Sequence, residues 1–438
     1  MDIPSESSPH NGVSTTTGEY TGTDATKSSI SSESDLYKHL IRPRTIERSL
    51  VRENKNQVAG HAGFSVMRNN PKHCLKPMLV QCLRGRREHF SYKLLEYFKR
   101  NIRDYGNDGE TSESLLTHWR YNQFKLLVTP NNHCDCIIDA NVWTQMSPFV
   151  APFHCVINPS AEEDVQESEE RGENCIDAAD EIKDDHHRRK TLESTYFENV
   201  TCLCYQSGLG KKMSCRRDDR QIHYLCLEDL TAHCSQPCIL DVKIGKVTYD
   251  PMSVKEKIQE QSSKYEHSPN FGFHILGMKV QSELRDKHFC RGLETEASIQ
   301  SAFELFLEPL KKINYQLIVA DTIIHRLQII LDWFENKNIN QLRFFSSSVL
   351  IVYDSHFEST AMDEQLSKSV RVSMIDFAHV FHDHQTMDQT EELSSNERDD
   401  NFIYGLRKLT GMFSIIRQRL QNQRLPSRPH HHSHPPQV

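Results

Sequence analysis

The chain has no apolar segment after Met1, and nowhere does an apolar run approach the length that spans a bilayer. Those absences lead to the expectation of a protein without a transmembrane segment, resident in the nucleus, the cytoplasm or both. CxC pairs occur at Cys134/Cys136 and Cys202/Cys204 among 13 cysteines, but no paired CxxC spacing does, so free thiols in a reducing compartment are the simplest reading. No basic stripe with interleaved aromatics is present, which argues against a nucleic-acid partner. No internal repeat is found either. Hydrophobic residues are scarce at 37%, which points to sizeable disordered segments.

Charge of one sign is concentrated. The formal net charge is −8, yet residues 161–186 hold twelve Asp/Glu against two Lys/Arg, a balance of −10 that leaves the remainder at +2. An acidic average can therefore cover a basic binding face. Residues 1–45, rich in Ser, Thr and Gly, read as a disordered N-terminal tail, and 423–438, with HHHSH, as a C-terminal one. The acidic stretch at 158–190 reads as a solvated or disordered insertion.

Between these segments the pattern is α+β, strand-rich early and helix-rich later. Ordered sequence is expected from about Val58. Strands are expected over HCLKPMLVQ (73–81), FKLLV (124–128), parts of 147–157, HYLCLEDLT (223–231) and PCILDVKIG (237–245). SSVLIVYD (347–354) and RVSMIDF (371–377) fit a hairpin with a long connection. Amphipathic helices are expected through Ile323, Ile324, Leu327, Ile330, Leu331 and Phe334, and through Leu406, Leu409, Phe413, Ile416 and Leu420. A helix over 253–265 is polar nearly all round, so packing alone does not account for it.

Chemistry gathers at a few places. Lys76 interrupts an apolar strand, and Arg84, Arg86 and Arg87 follow at a helix entrance. Asp241, Lys243 and Gly245 alternate on one strand face, as the floor of a pocket would, with glycine admitting a close approach. Lys257, Gln261 and Lys264 share a helical face. Asp376 ends a strand, with His379 three residues on. Phosphoryl transfer needs such parts: a lysine for nucleotide phosphates, an Asp for Mg²⁺, and cations for the acceptor. Taken singly each has a blander reading. Lys76 could be a snorkelling surface lysine, Asp376 a turn cap, His379 an ordinary hydrogen-bonded histidine, and the lysine face simply solvated.

PCILDVKIG resembles the P-x-x-x-D-x-K-x-G signature of the inositol polyphosphate kinase family. SSVL (347–350) is similar to that family's Ser-Ser-Leu-Leu run, with Val349 in place of a leucine, and MIDFAH (374–379) to its Ile-Asp-Phe element. QVAGH, LGMKV, LDWFEN and FAHV look most like the multikinase branch. The resemblance implies a two-lobed, protein-kinase-like fold with an antiparallel N-lobe sheet (46–227, including the insertion) and a larger α+β C-lobe (228–422). It implies an enzyme that uses ATP and Mg²⁺ to phosphorylate inositol tris- and tetrakisphosphates, with phosphoinositide headgroups at a membrane surface as a further acceptor class, acting as a monomer. By position, Lys76 would contact ATP phosphates, Glu228 and Leu230 would present backbone to adenine, Asp241 would take the ribose, and Asp376 would bind the metal. Lys243, with Asp241, would be catalytic, and Arg84, Lys243, Lys257, Gln261, Lys264 and His379 would hold the inositol phosphate.

Glu260 departs from the pattern, since the multikinase branch tends to have glutamine there. A carboxylate can accept from ring hydroxyls but repels a phosphate. Alternatives are an inositol trisphosphate 3-kinase or an inositol hexakisphosphate kinase, although those relatives usually carry Lys-Met-Gly where this chain has Lys243-Ile244-Gly245. A protein kinase is disfavoured by the lack of GxGxxG and HRDxxxxN elements. A catalytically weak signalling scaffold is the reading from a different class.

Overall fold

Among the described residues, strands from distant parts of the chain assemble two large sheets and a two-stranded one (Leu342–Phe344 with Val380–His382), and the elements that carry charged side chains meet between the two large sheets. The structure, a computed structural model, describes residues 43–47, 50–58, 65–67, 70, 72–79, 83–105, 140–160, 222–250, 253–356, 363–382 and 398–424. Residues 1–42, the strand expected at 124–128, the acidic stretch 161–186 and the tail from 425 lie outside the described residues.

In chain order come β1 (Arg44–Glu47), β2 (Val51–Glu53), β3 (Ser65–Met67), β4 (His73–Leu79), α1 (Leu83–Tyr105) and α2 (Ala140–Met146). They are followed by β5 (Phe153–Ser160), β6 (Ile222–Glu228), β7 (Pro237–Ile244), α3 (Lys255–Lys264), α4 (Ser268–Phe271) and β8 (Phe273–Val280). Then come β9 (Glu283–Arg285), α5 (Lys287–Arg291), α6 (Glu296–Leu307), α7 (Ile313–Asn336) and β10 (Leu342–Phe344). The last are β11 (Ser348–Asp354), α8 (Asp363–Ser369), β12 (Arg371–Ile375), β13 (Val380–His382) and α9 (Asp400–Arg424).

The first sheet has six strands in the order β1-β5-β6-β4-β3-β2, antiparallel except for the parallel β1–β5 pair. Order therefore begins earlier than Val58, because β1 and β2 gain ladder partners in β5 and β3 that local composition does not reveal. The second sheet runs β12-β11-β7-β8-β9 and is antiparallel throughout. The mixture of helix with largely antiparallel sheet is the α+β class expected. The hairpin is there as β11 and β12, with α8 in its connection.

Helices α7 and α9 carry the apolar stripes read from the sequence, and both bury them. Phe334 of α7 stacks on Phe402 of α9 at 4.5 Å, and Phe303 of α6 on Phe413 of α9 at 4.6 Å. Each fully buried side chain of this size contributes roughly 2–3 kcal/mol of transfer free energy. Against that core, α9 closes on the ends of β7 and β8. A Cβ on Gly405 would come within 2.2 Å of the Gly272 carbonyl oxygen. A Cβ on Gly245 would come within 2.6 Å of Asn401 Nδ2, and Gly245 has φ of +113°, open mainly to glycine. The sequence reading of Gly245 as a place for a ligand to approach is thus corrected: the missing side chain makes room for helix α9. Asn401 then caps the loop after β7, its Oδ1 accepting from Val247 N–H at 2.9 Å and its Nδ2 donating to Val247 O at 3.0 Å.

Candidate functional site

β4 brings Lys76 beneath helix α1. Its Nζ donates to Glu88 Oε1 at 2.5 Å and also to Asp376 Oδ1, joining the first sheet, α1 and the end of β12 at one ammonium. Burial opposes the charge on Lys76, but Asp376 and Glu88 more than offset it and hold the ammonium well above the ordinary lysine range. Lys76 is therefore no snorkelling surface lysine. Glu88 sits on the buried stripe of α1 with Tyr92 and Leu95 at helical spacing. By analogy, a strand lysine held by a helix glutamate is the arrangement that positions the phosphate-contacting lysine in protein kinases.

Asp376 follows β12 with φ of +68°, a left-handed conformation that costs a non-glycine residue of order 1 kcal/mol. Ser347 Oγ donates to its carbonyl at 2.8 Å, while Phe377, fully buried, packs on Tyr92 at 5.0 Å between ring centroids. Those contacts hold the turn and aim the carboxylate, about one-third exposed, back at Lys76.

The central strand β7 lies between β11 and β8, and its register sets Lys243 opposite Ser348 and Asp241 opposite Leu350. Asp241 is buried, and its Oδ1 has no hydrogen-bond partner. Burial, with Asp376 adding, pushes its carboxyl up to about 7. Lys243 Nζ donates to Ser346 Oγ at 2.8 Å. Burial lowers its pKa, the charges of Asp376 and Asp241 oppose that, and those of Lys264 and Lys257 add to it, so all five groups lie within one field. Among the described residues no three His, Cys, Asp or Glu gather as a metal cage. Asp376, with a carboxylate about one-third exposed, suits Mg²⁺, which takes one or two carboxylates and completes its shell with phosphates and water.

Where the first sheet ends, Glu228 N–H donates to Pro152 O at 2.9 Å and Asp229 N–H to Lys72 O at 2.7 Å. Pro152 has no N–H to return, so the ladder leaves the Glu228 carbonyl without its reciprocal donor. Among the described residues nothing accepts from Leu230 N–H. One acceptor and one donor are thus open at residues 228 and 230, about 10 Å along the strand pair from Lys76. Asn56, in the turn after β2, ties this end together: Nδ2 donates to Thr231 Oγ1 at 2.8 Å, and Oδ1 accepts from Lys279 of β8 at 2.7 Å.

On the opposite side, His379 Nδ1 contacts Asp250 Oδ2. Burial works against the Asp250 charge, yet the bond from His379 dominates and holds its carboxyl near 2. An ionised acceptor there requires the proton on Nδ1, which leaves Nε2 as an acceptor when the ring is neutral. Arg84 and Arg87 bear on the same imidazole. Arg87 also donates to Ala378 O at 2.9 Å and stacks over Phe381 at 4.2 Å. On α3, which buries no residue, Glu260 bridges Lys257 at 2.9 Å and Lys264 at 2.7 Å. Gln261, its amide oxygen turned toward the same two ammonium groups, accepts from them at 3.1 and 3.0 Å.

Lys76, Asp241, Lys243, Asp376, His379, Arg84, Lys257, Gln261 and Lys264 are therefore brought into one linked set, with Glu228 and Leu230 at the far end of the β4–β6 pair. Sequence reasoning missed Glu88, Asp250, Ser346 and Asn56. For Glu88 a signal existed, a carboxylate in register with an apolar helical stripe. Asp250 gives none, being 129 residues from its partner.

Residues 224–414 match the family model for inositol polyphosphate kinases. The chain is 40% identical over 137 residues to inositol polyphosphate multikinase of Mus musculus, covering 30% of this chain and 33% of that protein. It is 28% identical over 235 residues to inositol hexakisphosphate kinase 3 of Mus musculus, covering 49% and 56%. A crystal structure of an inositol phosphate multikinase from S. cerevisiae, in complex with ADP and Mn²⁺, aligns with a TM-score of 0.36 at 25% identity, over 44% of this chain and 84% of that one. The match spans about one third of the length of the mouse multikinase.

Proposed function

We propose that this chain, a member of the inositol polyphosphate kinase family through residues 224–414, transfers the terminal phosphoryl group of ATP to ring hydroxyls of inositol tris- and tetrakisphosphates. The observation that carries the reading is the Lys76–Asp376 contact, with Lys243 in the electrostatic field of both Asp376 and the α3 lysines. A nucleotide's phosphates and a polyanionic acceptor are the two ligands for which such paired sets of cations are suited.

The Glu228 carbonyl and Leu230 N–H take the adenine edge, and Asp241 Oδ1 accepts from a ribose hydroxyl. Lys76, held by Glu88, contacts the phosphates. Asp376 would hold Mg²⁺, which would supply neutralisation of the charge on the transferring group. Lys243 meets the acceptor hydroxyl and the oxygens of that group, where its charge stabilises the negative charge gathered on them. Arg84, Lys257, Gln261, Lys264 and His379 hold the inositol phosphate. Catalysis is then chiefly positioning and electrostatic stabilisation.

The multikinase branch is supported by the higher identity to a multikinase than to a hexakisphosphate kinase. The headgroup of a phosphatidylinositol bisphosphate is a further acceptor of the same chemistry. The test is transfer from labelled ATP, with Mg²⁺, to inositol tris-, tetrakis- and hexakisphosphate and to a soluble phosphatidylinositol bisphosphate. Label in the tris- and tetrakisphosphate, lost in both Lys243→Ala and Asp376→Asn, is the expected result. Folded protein that transfers to none of the four acceptors would overturn the reading.

A further inference from the structure

Helix α3 presents two lysines whose charge is already answered by the chain itself. One carboxylate reaches both: Glu260 Oε1 lies 2.7 Å from Lys264 Nζ, and Oε2 lies 2.9 Å from Lys257 Nζ. The Gln261 amide oxygen spans the same pair. No residue of α3 is buried, so the core does not demand this cluster, and the Glu260 side chain is about half exposed. Lys243, the residue that meets the acceptor in the kinase reading, lies within the field of the same two lysines.

We infer that Glu260 is a specificity-determining residue, a built-in counter-anion that turns the α3 face toward acceptors presenting a hydroxyl there and away from those presenting a phosphate. The inference rests on the kinase reading above. A ring hydroxyl can donate to Glu260 while the lysines keep their partner. A phosphate must either share the lysines with a carboxylate a few ångströms away or displace it. Exposed ion pairs are weak enough for displacement to occur, so Glu260 does not block the site but subtracts one unit of attraction from it. The cost grows with the number of phosphates that the acceptor brings to α3. A purely local role is the competing account, since i,i+3 and i,i+4 pairs also stabilise an exposed helix.

Titration calorimetry on the full chain separates the two. Dissociation constants for inositol tris-, tetrakis- and hexakisphosphate are measured at low and high salt for the native chain, Glu260→Gln and Glu260→Ala. The expected result is that both variants gain on the order of tenfold in affinity for hexakisphosphate and clearly less for trisphosphate, with a steeper salt dependence. A merely helix-stabilising glutamate would move all three acceptors together. If trisphosphate binds and is phosphorylated but the tris-to-hexakis affinity ratio stays within about twofold in both variants, the inference is overturned and the kinase reading stands. If no inositol phosphate binds the folded native chain or either variant, the kinase reading fails and takes the inference with it.

Discussion

Two clusters in this protein join lysine and carboxylate in sets of three, and they differ in what surrounds them. At Lys76 the ammonium is held between Glu88 and Asp376, with side-chain exposures of 15% for the lysine, 9% for Glu88 and 36% for Asp376. On α3, Glu260 lies between Lys257 and Lys264 with about half its side chain in solvent. Removing one partner from a buried set strands the others in a poor solvent, at a cost of about 3–5 kcal/mol. Removing one from an exposed set costs about 0–1 kcal/mol, screened by salt. The same chemical groups therefore suit different tasks. On the kinase reading proposed above, the buried cluster would hold a fixed geometry for nucleotide and metal, and the exposed cluster would exchange partners as acceptors come and go.

The comparison can be broken in several places. The largest effect is expected for Lys243→Ala, which sits between the two clusters and removes a charge needed as the phosphoryl group moves. The turnover number should fall by about 10²–10³, the scale seen when one stabilising donor is lost from a transition state, as steady-state transfer to inositol trisphosphate would show. Lys76→Met should destabilise the fold by roughly 3 kcal/mol, because Glu88 and Asp376 lose their common cation; denaturant unfolding measures this, and Lys257→Met should shift the same curve by less than about 1 kcal/mol.

The pH dependence sharpens the contrast. Burial raises the Asp241 carboxyl to about 7, so its contribution to stability is fully present below the unfolded carboxyl pKa and is lost as pH rises through about 7. Asp241→Asn, neutral at every pH, should therefore raise the stability of the ligand-free protein at pH 8 by about 4 kcal/mol, with the gain vanishing below about pH 4. Thermal melts at the two pH values check it. The smallest effect is expected from Lys257→Ala, a rise in acceptor KM of several-fold at low salt with little change in turnover.

Much of this was legible in the sequence, and the reasons vary by element. Strands β4, β6, β7, β11 and β12 announce themselves because each is a short, mostly apolar run. Helices α7 and α9 carry stripes that only a shared core explains. The charges of Lys76, Asp241, Lys243 and Asp376 stand out because each interrupts or ends an apolar strand. Partners across the fold are another matter. His379 meets Asp250 through loop positions, and Lys279 of β8 meets Asn56 in a turn, with no periodicity to betray either pairing. Gly245 was misread for the same reason: a glycine admits either a ligand or a helix, and only the packing of Asn401 shows which.

The central claim is that buried charges set the rate and exposed charges choose the acceptor. Its most direct test is the salt dependence of kcat and KM for inositol trisphosphate in the native chain. Between ionic strengths of about 0.05 and 0.5 M, KM should rise on the order of tenfold while kcat stays within about twofold. A kcat that falls steeply with salt while KM stays flat would contradict the account.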